Sequence, residues 1–490
     1  MQYLVAVMEI LFLGVVACFA VYVLLELRTM LISRAVQRRN LVCMEASAGL
    51  DFCPQVAVLL PICNESNVIE GLIAAVCKLE YPEHHLEILV LDDSTDHTSE
   101  KARSLVSFQA ARGINIRYLR RKPRTGCKAE NLTFGVNQTE AEFFAIFDAD
   151  FMPPSDFLLK TIPCFKAPEL GYLQTGIGYI NRDTSFLTKF QAAEMLHQQY
   201  VTVGLRADRK MASLSGSSCV WRRACLQSLG GWSATTVTED VDIGYRAQLE
   251  NWKYGYLKEV VSLSILPETL SAYRVQRERW GRGLLHNAFK HGAELFRQKM
   301  SLAKRLYAIS VMFSSLLLVS IYFLFLLTLP LTWGKTFEGL TFMITCMFFF
   351  TLVAIWGYTN VMASQMWESL GKDGSFLQRL GSLYGYIAMF LPMSLYYAVG
   401  GMRALFGVHN EFNKTPKGRD EVLGEKPKVD TLLFWGEVFS FFYSWAAIGI
   451  AVYQDYYMLL PFNITACVAF GLVLYWGWRD NAHHDHADEK

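Results

Sequence analysis

Charge is distributed very unevenly along this 490-residue chain, and the distribution limits what the chain can fold into. Five apolar stretches stand out, at 10–25, 308–334, 339–367, 432–453 and 457–477. The first three carry no charged side chain, and about 20 helical residues are enough to cross a hydrocarbon core. We therefore predict five membrane spans. Glu437 is expected near the interface or facing protein, because a carboxylate in lipid is costly.

The first apolar stretch predicts a membrane anchor rather than a secretory signal. Arg28 and three further arginines up to position 39 follow the stretch, whereas a signal peptide carries its positive charge before it. Positive flanks face the cytosol, so we expect the N-terminus outside and the residues from Arg28 onward inside.

Segment 380–402 is also uncharged but contains Pro392 and several glycines. Basic residues flank it on both sides, and both flanks are therefore expected in the cytosol. We predict an interfacial or re-entrant segment here instead of a sixth span. The resulting domains are an anchor at 1–27, a cytosolic catalytic domain at 28–305, two transmembrane helices within 306–360, a cytosolic interfacial helix and loop at 361–431, two transmembrane helices within 432–478, and a cytosolic tail at 479–490.

The soluble part alternates short buried strands with helical patterns. Strands are predicted at 56–62, 87–91, 115–119 and 143–147, and residues 66–79 have helical spacing. This alternation predicts an α/β fold, a parallel-rich sheet with helices on both faces. In such sheets ligands bind beyond the carboxyl ends of the strands.

Two acidic pairs lie at predicted strand ends, Asp92 with Asp93 and Asp148 with Asp150. The carboxylates of Asp148 and Asp150 straddle one alanine, so they repel each other and lose hydration unless a cation lies between them. Their oxygens suit Mg²⁺ or Mn²⁺, which can bridge to a diphosphate. The alternative is a strand-end turn in which both aspartates only cap backbone groups.

Two further motifs follow along the chain. The T-E-D sequence at 238–240 precedes a helical pattern, so it either caps that helix or supplies Asp240 as a general base. Gln276 and Trp280 lie four residues apart on one helix face, with Arg279 beside them. A tryptophan ring can hold a sugar and an arginine fork can hold phosphate, although a basic membrane-proximal helix would look similar.

The ordered set D-D, D-x-D, T-E-D and Q-x-x-R-W resembles family 2 glycosyltransferases, specifically the processive membrane β-glycan synthases such as cellulose synthase and plant mannan synthase. The resemblance covers about residues 55–290 and implies a nucleotide-sugar-binding domain of GT-A type. It implies catalytic roles for Asp240 and Glu239, and a metal at Asp150 and Asp148. The implied donor-binding residues are Pro61, Glu65, Asp92, Asp93, Lys128, Asp148, Gln276 and Arg279. The implied acceptor-binding residues are Trp280, Ser215 and Gly216.

A partial match to the gating loop of cellulose synthase lies between predicted spans. Phe412, Thr415 and Lys417 fit the pattern F-x-V-T-x-K-G, and Lys414 replaces its valine. The resemblance implies a gating function for this loop. A basic linker is the alternative.

The resemblance implies an inverting, processive enzyme that polymerises hexose units from a UDP-glucose or GDP-mannose type donor and exports the glycan. The alternatives are transfer of one sugar to a membrane lipid, and a transporter whose cytosolic domain only binds nucleotide. The expected partners are the donor, a glycan or lipid acceptor, the lipid bilayer and accessory export or regulatory subunits. The net charge of +1 gives no indication of nucleic-acid binding. The expected location is the plasma or inner membrane, with several passes and a cytosolic catalytic domain.

Overall fold

Seven strands form one mixed sheet in the computed structural model. The structure describes residues 6–22, 52–121, 128–199, 214–335, 376–407 and 430–488, together with Tyr3 and Leu24. The predicted span at 339–367 and the loop with Phe412, Thr415 and Lys417 lie outside the described residues. The strands are β1 (Val56–Ile62), β2 (Leu86–Asp92), β3 (Ile116–Leu119), β4 (Phe143–Ile146), β5 (Leu170–Tyr179), β6 (Cys219–Arg222) and β7 (Lys253–Ser264).

The strand order is β3-β2-β1-β4-β6-β5-β7. The first four strands in this order are mutually parallel, β6 runs antiparallel to both of its neighbours, and β5 is parallel to β7. The four predicted strands are confirmed to within one residue, as is the parallel-rich sheet. Strands β5, β6 and β7 were not predicted.

Helices surround the sheet and continue into the C-terminal part of the described chain. The helix predicted at 66–79 is confirmed over a shorter range, Ile69–Val76. The helices are α1 (Ala6–Tyr22), α2 (Ile69–Val76), α3 (Thr98–Ala111), α4 (Lys128–Val136), α5 (Phe157–Thr161), α6 (Phe186–His197), α7 (Arg223–Ser228), α8 (Glu239–Leu249), α9 (Leu270–Arg297), α10 (Leu302–Met312), α11 (Ser314–Trp333), α12 (Phe376–Leu405), α13 (Thr431–Tyr453) and α14 (Leu460–Asp488).

Both faces of the sheet are covered because successive side chains of a strand point in opposite directions. In β1, Val58 and Leu60 belong to one buried core with Ile73 of α2. Leu59, between them, belongs to the opposite core with Leu132 of α4. The continuous apolar sequence of β1 follows from this, since both of its faces are buried.

Three of the described helices are long and apolar enough to cross a membrane: α11, α13 and the part of α14 from Leu460 to Asp480. They correspond to the spans predicted at 308–334, 432–453 and 457–477. Helix α1 is a shorter apolar helix within the predicted anchor. These helices indicate membrane association.

The segment predicted at 380–402 lies within α12, a single helix of 30 residues that continues through Pro392. The chain does not reverse within this helix, so a re-entrant turn is not seen there, and the interfacial placement stays a prediction. Helix α12 packs against α9, α11 and α14.

Glu437 faces protein, as predicted from its cost in lipid. Its carboxylate is fully buried in α13 and contacts Arg274 of α9 and Tyr396 of α12. Arg274 Nε lies 2.6 Å from Oε1, and the Tyr396 hydroxyl donates to the same oxygen at 2.6 Å. The bidentate pair therefore joins the helix that carries the Q-x-x-R-W motif to two helices of the C-terminal bundle.

Substitution of Glu437 by leucine is expected to destabilise the protein, because it leaves the Arg274 guanidinium buried without its counter-charge. Removing one partner of a buried ion pair lowers the free energy of unfolding by about 3–5 kcal/mol. The double variant Arg274→Met/Glu437→Leu should recover much of this loss, since neither charge remains. Thermal unfolding of the full chain in detergent measures the stability of both variants. A Glu437→Leu protein that unfolds at the same temperature as the wild type would contradict the prediction.

Candidate active site

Several of the predicted site residues meet around the ammonium group of Lys128, the first residue of α4. Its Nζ lies 2.5 Å from Asp148 Oδ1 and 3.6 Å from Glu239 Oε1, and it donates to the carbonyl oxygen of Gly216 at 3.1 Å. Burial favours the neutral amine, but the carboxylates of Asp148, Glu239 and Asp240 outweigh it and raise the pKa of Lys128. The lysine of α4 is therefore a cation held among carboxylates from two other parts of the chain, the end of β4 and the first turn of α8.

Asp240 lies in the first turn of α8, directly against the backbone of Gly216. A Cβ atom on Gly216 would come within 2.8 Å of Asp240 Oδ2, and the φ angle of Gly216 is +72°, so the close approach depends on glycine. Burial and the carboxylate of Glu239 raise the pKa of Asp240 to about 7, while Lys128 opposes the rise. A base with a pKa near the working pH suits proton transfer.

Arg279 on α9 approaches the same acidic cluster. Burial lowers the pKa of Arg279, and the carboxylates of Glu239, Asp240 and Asp148 oppose this effect. The cluster thus has two cationic side chains, on α4 and α9, next to three carboxylates. Such an arrangement can stabilise negative charge that develops on a leaving group.

Trp280 and Gln276 lie on the same helix as Arg279, and both are partly exposed. The ring of Trp280 packs near Met195 and Leu266, and the guanidinium carbon of Arg277 lies 4.4 Å from its centre. Arg277 is itself fully buried and pairs with Glu194 at 2.8 Å. Sequence reasoning missed this buried pair, because the two residues are more than 80 positions apart.

Asp93 and Asp92 have different surroundings at the end of β2. Arg121 binds both carboxylate oxygens of Asp93, from Nε at 3.1 Å and Nη2 at 2.8 Å. Asp92 accepts hydrogen bonds from Ser99 and Tyr118, each at 2.5 Å. Burial opposes the charge of Asp92, but these bonds and those of Ser94 outweigh it and lower its pKa. Asp92 therefore ties β2 to α3 and β3, and its contact with a donor stays a prediction.

The loop after β1 lies against the same strand end. Pro61 is in β1, and Glu65 accepts a hydrogen bond from the backbone of Cys63 at 3.4 Å. The Asn64 backbone N–H donates to the Ser94 hydroxyl at 2.9 Å. The loop and Asp93 are thus neighbours, as the predicted donor site requires.

Ser215 precedes Gly216 in the predicted acceptor segment. Its backbone N–H donates to Gln174 Oε1 of β5 at 3.3 Å. Lys128 and Asp240 both contact Gly216, the next residue. The segment therefore borders the acidic cluster, and its contact with an acceptor stays a prediction.

Asp148 and Asp150 do not share their neighbours, although one residue separates them. Asp148 pairs with Lys128, whereas Asp150 is buried and accepts a hydrogen bond from Ser264 at 2.5 Å. No group of three or more His, Cys, Asp or Glu side chains suited to a metal ion occurs among the described residues. Mg²⁺ at substrate phosphates needs only one or two carboxylates, so the partly exposed Asp148 fits a site that the substrate completes.

Known proteins match the part of the chain that carries these residues. Residues 54–283 match the family model described as Glycosyltransferase like family 2. The probable glucomannan 4-beta-mannosyltransferase 6 of Oryza sativa subsp. japonica is 37% identical over 287 residues, which cover 57% of this chain. The matched part of the chain spans 50% of the length of this relative.

Two solved structures among those that match this chain are the following. The mannosyltransferase PcManGT from Pyrobaculum calidifontis, in complex with GDP-Man and Mn²⁺, is 17% identical with a TM-score of 0.47, covering 77% of this chain and 99% of that chain. TarS 1–349 of S. aureus in complex with UDP-GlcNAc is 13% identical with a TM-score of 0.38, covering 73% and 94%. The family match and the sequence relative, taken with the ordered motifs, lead to one conclusion: residues 54–283 of this chain resemble the glycosyltransferases of family 2.

Proposed function

We propose that this protein is an inverting, processive β-glycosyltransferase that polymerises hexose units from a nucleotide-sugar donor and exports the glycan across the membrane. The observation that carries the proposal is the convergence of Asp148, Glu239 and Asp240 on Lys128, with Arg279 beside them. The rice relative is named for transfer of mannose in a 4-β linkage, which favours a GDP-mannose type donor over UDP-glucose.

In the proposed reaction an acceptor hydroxyl attacks the anomeric carbon of the donor sugar from the face opposite the diphosphate. Asp240 takes the proton of that hydroxyl onto its carboxylate as the new glycosidic bond forms. The bond between the anomeric carbon and the diphosphate oxygen breaks, and its electron pair leaves with the nucleoside diphosphate. Lys128 and Arg279 offset the charge that develops there. A bound Mg²⁺ or Mn²⁺ at Asp148 and Asp150 would supply further positive charge to the diphosphate.

Close packing between α9 and α12 supports coupling to the membrane helices. A Cβ atom on Gly281, next to Trp280, would lie 2.8 Å from Tyr397 Cα of α12. A Cβ atom on Gly400 would lie 2.4 Å from the Glu278 carbonyl oxygen. The proposed acceptor residue Trp280 therefore lies where the catalytic domain meets the helical bundle, a suitable position to pass a growing chain onward.

A donor screen on the purified full chain tests the proposal. Each nucleotide sugar is incubated with the protein and Mg²⁺ or Mn²⁺, and release of free nucleoside diphosphate is measured. Release from none of the donors would support a protein that only binds nucleotide. Radiolabelled product is then sized, because a single-sugar lipid as the sole product would replace the polymerase by the lipid transferase.

The rate of the proposed reaction should depend on pH through Asp240. Because a carboxylic acid cannot accept the hydroxyl proton, kcat/KM should fall as pH drops below the Asp240 pKa of about 7 and level off above it. Initial rates of nucleoside diphosphate release between about pH 5.5 and about pH 9 measure this acidic decrease in kcat/KM. Nucleoside diphosphate binding over the same range is the control, and a flat rate profile would exclude Asp240 as the base.

A further inference from the structure

One face of helix α9 carries Arg279 and also contacts the T-E-D turn. Positions 279, 283 and 287 recur every four residues and therefore share one helix face. Asn287 Nδ2 donates to the carbonyl oxygen of Thr238 at 3.2 Å and to its hydroxyl at 2.9 Å. A Cβ atom on Gly283 would lie 2.4 Å from the Thr238 hydroxyl oxygen, so the turn packs against bare helix backbone.

A second contact from α9 holds the first turn of α8. Asp242 is fully buried, and its Oδ1 lies 2.9 Å from His291 Nε2 and 2.6 Å from Lys290 Nζ. Its Oδ2 accepts from Arg246 Nε at 2.8 Å. Thr238 and Asp242 lie two residues before and two residues after Asp240. The proposed base is therefore held from both sides by one helix.

Stability alone is a poor explanation for Asn287. The side chain is fully buried, and its Oδ1 has no hydrogen-bond partner among the described residues. An unsatisfied buried oxygen costs free energy that an apolar side chain of similar size would avoid. The asparagine instead fixes the orientation of Thr238, because its amide group donates to both the backbone carbonyl and the hydroxyl of that residue.

We infer that Gly283, Asn287 and His291 are positioning residues that fix the separation between Arg279 and the Asp240 carboxylate. The inference rests on the proposed function, in which Arg279 lies at the diphosphate and Asp240 takes the acceptor proton. Helix α9 sets the position of both groups. Arg279 is part of the helix, and Asp240 is held by the contacts of Gly283, Asn287 and His291 with its neighbours Thr238 and Asp242. A shift of about 1 Å in such a geometry can cost on the order of 10²-fold in rate.

Asn287→Leu removes the amide group but keeps the branching of the side chain at Cγ, and His291→Leu removes the bond to Asp242. Both variants should lower kcat on the order of 10- to 100-fold, while the donor KM stays within about twofold. His291→Gln keeps a donor nitrogen for Asp242 and should recover most of the rate. Glu294→Ala, at an exposed position of the same helix, is the matched control and should retain wild-type kinetics.

Hydrogen exchange of a peptide covering residues 236–243 provides a readout that does not depend on activity. Asn287→Leu should speed exchange there and leave the peptide covering α4 unchanged. If no donor is turned over by the wild type, the proposed function fails. The exchange pattern still tests whether Asn287 holds the T-E-D turn in place. Unchanged exchange in Asn287→Leu would overturn the inference. So would a rise in donor KM at constant kcat, or a loss of rate in His291→Gln equal to that in His291→Leu.

Discussion

Replacing Asp240 by asparagine is expected to lower kcat on the order of 10²–10⁴-fold, the range that general-base catalysis contributes. The amide has the size and shape of the carboxylate and still fits against Gly216, but it cannot take up the acceptor proton. Binding of nucleoside diphosphate should survive, since the residues that would hold it lie at the ends of β2 and β4 and on α4 and α9. The rate of nucleoside diphosphate release measures kcat, and calorimetric titration measures the affinity for nucleoside diphosphate.

Asp183→Asn is the matched control for this substitution, because Asp183 is an exposed aspartate in the turn after β5. It should turn over at the wild-type rate. If Asp240→Asn also retained a near wild-type rate, another group would have to accept the proton. Glu239, adjacent in sequence and 3.6 Å from Lys128, would then be the next candidate.

Arg279→Ala is expected to lower kcat on the order of 10²–10³-fold, the usual loss when one charge-stabilising donor is removed from a leaving group. The alanine leaves Lys128 as the remaining cation that the structure places beside Asp148, Glu239 and Asp240. With less positive charge nearby, the pKa of Asp240 should rise, and the acidic limb of the pH profile should move to higher pH. Steady-state kinetics across pH measure both effects.

Arg279→Lys separates charge from shape, because lysine keeps the charge but lacks the planar fork that binds two phosphate oxygens. Its rate should lie between those of Arg279→Ala and the wild type. Arg297→Ala, at an exposed position on the same helix, is the control and should not change the rate. Equal rates for Arg279→Ala and the wild type would exclude a role at the leaving group.

The first four strands of the sheet could be predicted from the sequence because their signals are local. Buried strands such as 56–62 are continuous apolar runs that end in turn residues, and the acidic pairs at 92–93 and 148–150 mark the strand ends where ligands bind. The apolar spans are local signals too. Strand β6 was missed because Cys219–Arg222 is only four residues long and has no distinctive pattern. Strands β5 and β7 were also missed, because glycines and polar residues interrupt their apolar sequences.

The finer structure of the site could not be predicted, because it depends on pairs of residues far apart in the chain. Nothing in the sequence indicates that Gly216 leaves room for Asp240, or that Arg121 takes both oxygens of Asp93. The D-x-D motif suggested two carboxylates facing one cation. In the structure Lys128 supplies the positive charge at Asp148, and Asp150 turns to Ser264. The roles of both aspartates at a metal stay predictions.

The ammonium group of Lys128 between Asp148 and Glu239 has a consequence for the order in which ligands arrive. Because this internal counter-ion already compensates the carboxylates, a lone divalent ion gains little by binding there and must compete with it. A nucleotide sugar brings negative phosphate charge of its own, and a divalent ion held by Asp148 would be compensated by those phosphates as well. Metal affinity measured without nucleotide should therefore be weak, and it should rise when the donor is present.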